Sequence, residues 1–335
     1  MKIVIDVFGG DNAPCAVIDG CAMALDMHDD FSLILSGDEA KINAELKKHK
    51  LGMSRLSILH APDIISCNEI PTMAIKKKKE SSLVKALEAV KSGEANCIVS
   101  AGSTGALLAG ATLIVRRIPG VKRPAIAPLL PTRTGCIMII DCGANADCKP
   151  SYLQQFAVMA DAYMRDVMHI ENPRIALLNN GAEAEKGNEL TKAAHALLID
   201  TPVNFVGNCE ARDILSGDYD VLVCDGFVGN VVLKYTEGMA QTLLDMLKQE
   251  LMSEMRTKIG AALAKPAFKR FKKKLDYTEY GGAPLLGING GVIKAHGSSD
   301  ARAFCAAINQ ARSFILGNVT DVITAGIARL PDVED

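Results

Sequence analysis

The chain predicts an α/β fold, a mostly parallel sheet covered by helices on both faces. Three observations carry this. Short β-rich runs alternate with helix-patterned stretches along most of the 335 residues. Apolar residues make up 49% while aromatics are 4% and Trp is absent, so small and aliphatic side chains must fill the core, as in a sheet buried on both sides. The strand-like runs end in small, polar, Gly-rich turns that lead into the next helical stretch.

Taken in order, strands are expected at Lys2–Val7, Phe31–Leu35, Arg55–Leu59 and Cys97–Ser100, then at Cys136–Ile140, Arg174–Leu178, Val203–Val206 and Val221–Cys224. Helices are expected at Cys15–Met27, Ser82–Lys91, Gly105–Arg116, Tyr152–Met168 and Glu185–Leu198. Ser81 and Ser82 stand where an N-cap would precede Leu83. Ile98 to Val115 carries no charge for 18 residues, the length of a membrane span. The turn signal Gly102-Ser103-Thr104-Gly105 divides it, so it reads as strand, turn and helix. No internal repeat or low-complexity linker is present, and the chain is expected to form a single domain, 1–335.

Net charge is −2, which argues against a nucleic-acid footprint over the whole protein. The opening MKIVIDVFGG is too short an apolar run for a signal peptide, and Asp6 interrupts it. Ten scattered cysteines with no CxxC pair are expected to be reduced thiols in a cytoplasmic protein.

Five strand ends share a chemistry. They are Asp6-Val7-Phe8-Gly9-Gly10-Asp11-Asn12, Ser100 to Gly105, Asp141-Cys142-Gly143-Ala144-Asn145, Asn179-Asn180-Gly181, and Asp225 to Asn230. Ligands of open α/β sheets bind at that edge. Glycine lets backbone approach a ligand, and helix N-termini offer N–H groups to anions. A shared anion cleft is therefore expected, with Gly9, Gly10, Asp11, Asn12, Gly102, Ser103, Thr104, Gly105, Asn145, Asp225 and Gly226 as binding candidates; each turn taken alone is also an ordinary tight connection. There is no GxxxxGK[ST] and no GxGxxG, so no phosphate loop or dinucleotide fingerprint. There is no HExxH or Cys/His cluster for zinc and no GxSxG elbow.

Seven stretches in order resemble the bacterial phosphate acyltransferase family of phospholipid synthesis, the PlsX family: IDVFGGDNAP (5–14), SAGSTGALLAG (100–110), RPAIAPLLP (123–131), DCGANADCKP (141–150), AEKGNEL (184–190), CDGFVGNVVLK (224–234) and YGGAPLLGINGGVIKAHGSSDARA (280–303). Phe8, Ser103 and Cys142 stand where that family usually has Met, Asn and often Val. The resemblance implies a three-layer, Rossmann-like α/β/α domain related to the isocitrate dehydrogenase and phosphotransacetylase folds, and a homodimer. It implies transfer of an acyl group from acyl carrier protein to inorganic phosphate, giving acyl phosphate for a membrane glycerol-3-phosphate acyltransferase.

Such a reaction needs a held phosphate, donors for the developing oxyanion and an apolar groove. Phosphate titrates near neutrality, so no strong base, metal or cofactor is required. Lys186 is the first candidate cation, or a solvated lysine on the first turn of a helix. Asn230 is an oxyanion donor, or the N-cap of the helix after it. His296 binds phosphate, protonates the leaving thiolate, or serves structurally. Asp6 is a poor phosphate ligand and is read as orienting a lysine or backbone amides. Cys142 is a packed thiol or an acyl-enzyme nucleophile.

Two surfaces also stand out. Lys76-Lys77-Lys78-Lys79 is a basic run suited to an acidic carrier protein, or a solvated face. Residues 236–276 read as a projecting amphipathic helical hairpin. Leu244, Leu247, Leu251, Met255 and Ile259 make one stripe, Pro266 interrupts, and the tip is expected around Leu263–Pro266. Phe268 and Phe271 then alternate with Lys269, Arg270, Lys272 and Lys273, a pattern for an anionic membrane surface or for carrier protein. Peripheral association with the inner face of the cell membrane follows, unless the stripe is a dimer core. The alternative classes are a nicotinamide-dependent dehydrogenase, by fold analogy alone, and a non-catalytic scaffold.

Overall fold

A computed structural model describes residues 1–48, 53–275 and 281–331. Tyr280 of the last motif lies outside the described residues, as do the side chains of Lys272, Lys273 and Leu275. The first third runs β1 (Lys2–Asp6), α1 (Cys15–Met27), β2 (Ser32–Gly37), α2 (Glu39–Leu46), β3 (Leu56–His60), α3 (Pro71–Lys77), α4 (Ser82–Lys91), β4 (Cys97–Ser100) and α5 (Thr104–Gly110). Then come β5 (Ala125–Ile126), β6 (Leu129–Pro131), β7 (Cys136–Ile140), α6 (Pro150–Asp166), β8 (Ile175–Asn179), α7 (Glu189–Ile199), β9 (Phe205–Glu210) and β10 (Val221–Val223). The chain continues through α8 (Gly226–Leu251), α9 (Met255–Leu275), β11 (Ala283–Leu286), β12 (Gly291–Lys294), α10 (Ala301–Leu316) and α11 (Val319–Ile327).

The fold is α/β, as expected, and its strands form two sheets. One runs β3-β2-β1-β4-β12-β11-β5, the other β6-β7-β10-β8-β9. All pairs are parallel except β11 with β12 and β5, and β6 with β7. The division falls at Ala127-Pro128: Ile126 pairs with Leu285 of the first sheet and Leu129 with Met138 of the second. Pro128 has no N–H to give a ladder, which makes it a natural place for the chain to leave one sheet for the other.

Strand alternation places residues on opposite faces. Ile3 and Ile5 pack with α1 and α10, whereas Val4 and Ile98 pack with residues of α3, α4 and α5. In the second sheet Met138, Ile140 and Val221 face α6, and Ile137, Ile139 and Leu222 face the side reached by Val232 and Leu233 of α8. Phe156 and Tyr163 of α6 and Phe304 of α10 are the largest fully buried side chains; Tyr163 Oη accepts from Gln310 Nε2 at 3.0 Å. Ser81 does cap α4, its Oγ accepting from the Val84 N–H at 3.4 Å. The uncharged run from Ile98 ends β4, turns at Gly102 and continues as α5 and a π-helical stretch to Val115. No helix among the described residues is long and apolar enough to cross a membrane.

The helical pair differs from expectation in where it turns. The stripe from Leu244 to Ile259 is divided between two helices, α8 ending at Leu251 and α9 starting at Met255, and Pro266 lies inside α9. The turn is at Met252–Glu254 because local donors and acceptors close the helix ends there. The Met252 N–H donates to Lys248 O, Ser253 Oγ donates to Glu250 O, and the Glu254 N–H donates to Thr257 Oγ1. A proline inside a helix costs about 3 kcal/mol. Just past it, Phe268 and Phe271 line the groove between the two helices together with Leu244 and Leu247.

Candidate functional site

The carboxyl end of β1 is built around Asp6. Its side chain is buried and accepts from Ser82 Oγ at 2.6 Å and Ser100 Oγ at 2.7 Å, tying β1 to α4 and β4. Ser100 Oγ in turn accepts from the Gly102 N–H at 3.1 Å. Burial pushes the Asp6 carboxyl above the usual carboxylate range, against the pull of the two hydroxyls and Lys294. Gly9 and Gly102 lie against this carboxylate, a Cβ on Gly9 falling 2.6 Å from Asp6 Oδ2.

Lys294 ends β12, the neighbour of β4. Its Nζ donates to Ala295 O at 2.5 Å and to Ala101 O at 3.3 Å. Burial lowers its pKa to about 8, with Asp6 and Asp11 among the charges opposing that shift. It therefore stays mostly protonated at neutral pH. His296 stands two residues on. The Ser298 N–H donates to its Nδ1 at 3.3 Å, and Ser298 Oγ lies 2.8 Å from the same nitrogen. That acceptance assigns the proton of the neutral ring to Nε2. Burial first, and then Lys234, hold the His296 pKa below its ordinary value, so the ring is predominantly neutral at pH 7.

The second sheet supplies the other wall. Asp225 caps α8, its side chain accepting from the Val228 N–H at 2.9 Å. Asn230 is therefore inside α8 and is not its cap. Its carboxamide lies beside Gly143, whose φ of +104° favours glycine. Asn230, Lys234 and Glu237 follow at i, i+4 and i+7 on one helical face. Lys234 Nζ donates to Glu237 at 2.7 Å.

These groups meet in a cleft of about 230 Å³ between the sheets. Thr104, Lys294 and His296 line it from the first sheet, and Asn230, Lys234 and Glu237 from α8. Its apolar side is the crossing segment from Ile126 to Leu130 together with Leu233 and Cys142. Cys142 is a packed thiol. It is buried, and desolvation and Asp141 hold its pKa far above the ordinary thiol value, so it is not a nucleophile at neutral pH.

The structure thus brings together three of the expected site residues, Thr104, Asn230 and His296. It gives several others structural work. Ser103 caps α5, accepting from the Ala106 N–H at 3.4 Å. Asn12 Nδ2 donates to Ser298 O and Ser299 O at 3.1 and 3.2 Å, and the Asp11 N–H donates to Gly297 O at 2.8 Å. The first strand end therefore holds the loop that carries His296. Gly10, with φ +101°, lies against Gly297 O and Ala101. Asn145 Nδ2 donates to Pro124 O at 2.8 Å and Asp141 at 3.0 Å. Gly105 faces Pro71, and Gly226 faces Asp141 and Asn145, so protein fills the space beside both. Lys186 is exposed on the loop after β8 and does not line the cleft; its Cγ packs near Gly181.

Lys234, Glu237 and Lys294 were not expected. Two spacings carried the signal. Lys294 closes β12 and His296 follows two residues on, in the loop after it. Asn230 and Lys234 stand at i and i+4, one helical face.

The fold is one shared with phosphotransacylases. A phosphotransacetylase from Streptococcus pyogenes superposes with a TM-score of 0.59 over 94% of each chain at 19% identity. A branched-chain phosphotransacylase from Enterococcus faecalis V583 gives 0.57 over 93% of this chain and 98% of that one at 15% identity. At such identities the likeness is one of fold. Sequence resolves the rest. The family described as fatty acid synthesis protein matches residues 1–322. A phosphate acyltransferase of Clostridium novyi is 54% identical over 327 residues, covering 98% of both chains, and one of Clostridium acetobutylicum is 52% identical over 330 residues, covering 98% of this chain and all of the other. The chain belongs to the phosphate acyltransferase (PlsX) family.

Proposed function

We propose that this protein transfers a fatty acyl group from an acyl-carrier-protein thioester to inorganic phosphate, releasing acyl phosphate for phospholipid synthesis. The observation that carries this beyond family membership is the composition of the cleft: Lys294, the Lys234–Glu237 pair, a neutral histidine and a carboxamide face one apolar wall. Phosphate is drawn by Lys294 and Lys234. The thioester carbonyl sits against the segment from Ile126 to Leu130. A phosphate oxygen attacks the carbonyl carbon, and the oxyanion receives hydrogen bonds from His296 Nε2 and Asn230 Nδ2. Collapse breaks the C–S bond. The proton of the hydrogen phosphate ends, in balance, on the departing thiolate, so the reaction consumes no external acid or base. A neutral His296 is a poor proton source at pH 7, which favours its role as donor to the oxyanion.

The decisive assay incubates acyl-loaded acyl carrier protein with and without phosphate, and measures free carrier thiol together with acyl phosphate trapped as hydroxamate. Equal, phosphate-dependent yields support the reading. Thiol release that ignores phosphate, or none at all, ends it. An absorbance change with NAD or NADP and a hydroxyacid would point to the dehydrogenase alternative.

The proposal extends to a homodimer working at the inner membrane surface, close to the membrane glycerol-3-phosphate acyltransferase that would consume its product. What supports it is the α8–α9 pair, which carries exposed Leu243, Met246, Met255, Ile259 and Leu263 beside exposed Lys258, Lys269 and Arg270. With the turn at Met252–Glu254, Met255 and Ile259 are the side chains best placed to enter lipid.

A further inference from the structure

α3 is a short helix with two unlike faces. Ala74 and Ile75 are buried, while Ile70 and Met73 are 69% and 45% exposed although both are apolar. At 100° per residue, Ile70, Met73, Lys76 and Lys77 form one continuous outward stripe, apolar at its start and basic at its end. Lys79 extends it past the helix end. Lys76, Lys77 and Lys79 have no ion pair among the described residues.

Lys78 is different. Its Nζ donates to Glu69 at 2.9 Å and to Ile64 O at 2.8 Å, pinning the preceding loop against the helix. Glu69 also accepts from the Ser66 N–H at 2.7 Å. Glu80 is held by Lys85 at 3.0 Å. Of the three carboxylates between 63 and 80, only Asp63 is therefore left without a cation, and the stripe keeps three free ammonium groups on a stiffened base.

The stripe is also close to the chemistry. Pro71 at the start of α3 packs against Gly105; a Cβ on that glycine would lie 2.8 Å from Pro71 Cγ. The residue before Gly105 is Thr104, which lines the cleft. The stripe lies across α3 from Pro71, about one helix diameter, ~10 Å, from Gly105. The basic segment of α9 is less well placed, since it lies opposite Leu244, and that residue is ~20 Å along α8 from Asn230.

We infer that this face of α3, with Ile70 and Met73 as apolar anchors and Lys76, Lys77 and Lys79 as the charged rim, is where an acidic acyl carrier protein docks to deliver its thioester. The inference rests on the proposed carrier-protein donor. Unpaired lysines beside two exposed apolar side chains complement an acidic helix with an apolar ridge, and such charges act mainly on the rate of encounter. The thioester arm then passes α3 and the start of α5 to reach the cleft.

The test uses the enzyme with two donors, acyl-loaded acyl carrier protein and the same acyl group on pantetheine, which has no protein to dock. The triple variant Lys76→Glu, Lys77→Glu, Lys79→Glu and the single variant Met73→Asp are compared with wild type. Expected are a rise of about tenfold or more in KM for the carrier donor, a flatter salt dependence, and unchanged turnover of acyl pantetheine. Unchanged KM in the triple variant overturns the assignment, and so does equal loss on both donors. A KM rise confined to Lys269→Glu, Arg270→Glu would move docking to α9. If wild type makes acyl phosphate from acyl pantetheine but ignores the carrier thioester, the donor reading and the docking face both fail. If it uses neither donor, the proposed function fails, and direct titration of carrier protein against wild type and the triple variant still decides the surface.

Discussion

Asp225 caps α8 and thereby releases Asn230 from that duty. The two residues are five apart, and their roles separate cleanly. Asp225→Ala should cost about 1 kcal/mol of stability with little effect on turnover. Asn230→Ala should leave the unfolding midpoint unchanged and reduce kcat by about 10²-fold or more, the loss seen when an oxyanion donor is removed. Thermal melts and steady-state rates on both variants check this. Wild-type turnover in Asn230→Ala would remove the carboxamide from the mechanism.

Lys294 gives the pH dependence a sign. The lysine is a cation below its pKa, and burial has brought that pKa down to about 8. The rate at limiting phosphate should therefore fall as pH rises through about 8, once phosphate itself is already dianionic. In Lys294→Arg the guanidinium stays charged, so the alkaline limb should vanish even if the rate is lower. An alkaline limb that survives in the arginine variant belongs to another group.

Lys186 should matter little. Its exposed position outside the cleft predicts a loss below about tenfold in Lys186→Ala, under ~1.4 kcal/mol of transition-state stabilisation. A loss of 10²-fold in a folded variant would mean that the loop after β8 closes on the substrate.

Gly226 should be intolerant for a structural reason. A Cβ there would stand 2.5 Å from Asp141 Oδ2 and 2.6 Å from Asn145 O. Gly226→Val should lose about 1–3 kcal/mol or more of stability, while the residual folded enzyme keeps its phosphate KM. A phosphate KM that rises before the denaturation midpoint moves would argue for an anion at this turn instead.

Liposome flotation tests the membrane reading. Met255→Asp with Ile259→Asp should lose binding to anionic vesicles and keep activity on soluble donor. Phe268→Asp with Phe271→Asp is a different experiment, because those rings line the α8–α9 groove and their loss should also lower stability. Unimpaired flotation of the Met255, Ile259 variant would leave these side chains to a partner subunit.

What the sequence disclosed follows from what each signal depends on. The long periodic elements were legible: α1 and α4 fall on the expected residues, and all eight expected strands form, β9 starting two residues late. β5, β6, β11 and β12 were not, since each has at most four residues and is bordered or interrupted by Gly or Pro, which reads as a turn. In the cleft, Thr104, Asn230 and His296 were found through the Gly-rich motifs around them. Lys294 was overlooked because a lysine closing an apolar strand looks like a strand end meeting solvent. Only the pairing of β12 beside β4 reveals that it is half-buried near Asp6. The Gly-rich turns were detected correctly as special backbone, but Gly105 and Gly226 are small so that protein can approach protein. Spacing alone cannot distinguish that from room for a ligand.

β12 lies between β4 and β11, and it ends in Lys294, two residues before His296. A strand that a ribosome delivers about 200 residues after the other parallel strands is thus inserted into the middle of their sheet. The first sheet stays open along β4 until that moment, with Val99 and Ile98 lacking their neighbour. The same insertion brings the cation and the imidazole to the cleft. A nascent or prematurely terminated chain therefore has no assembled site, and it carries an unpaired apolar strand edge that marks it for chaperones or degradation.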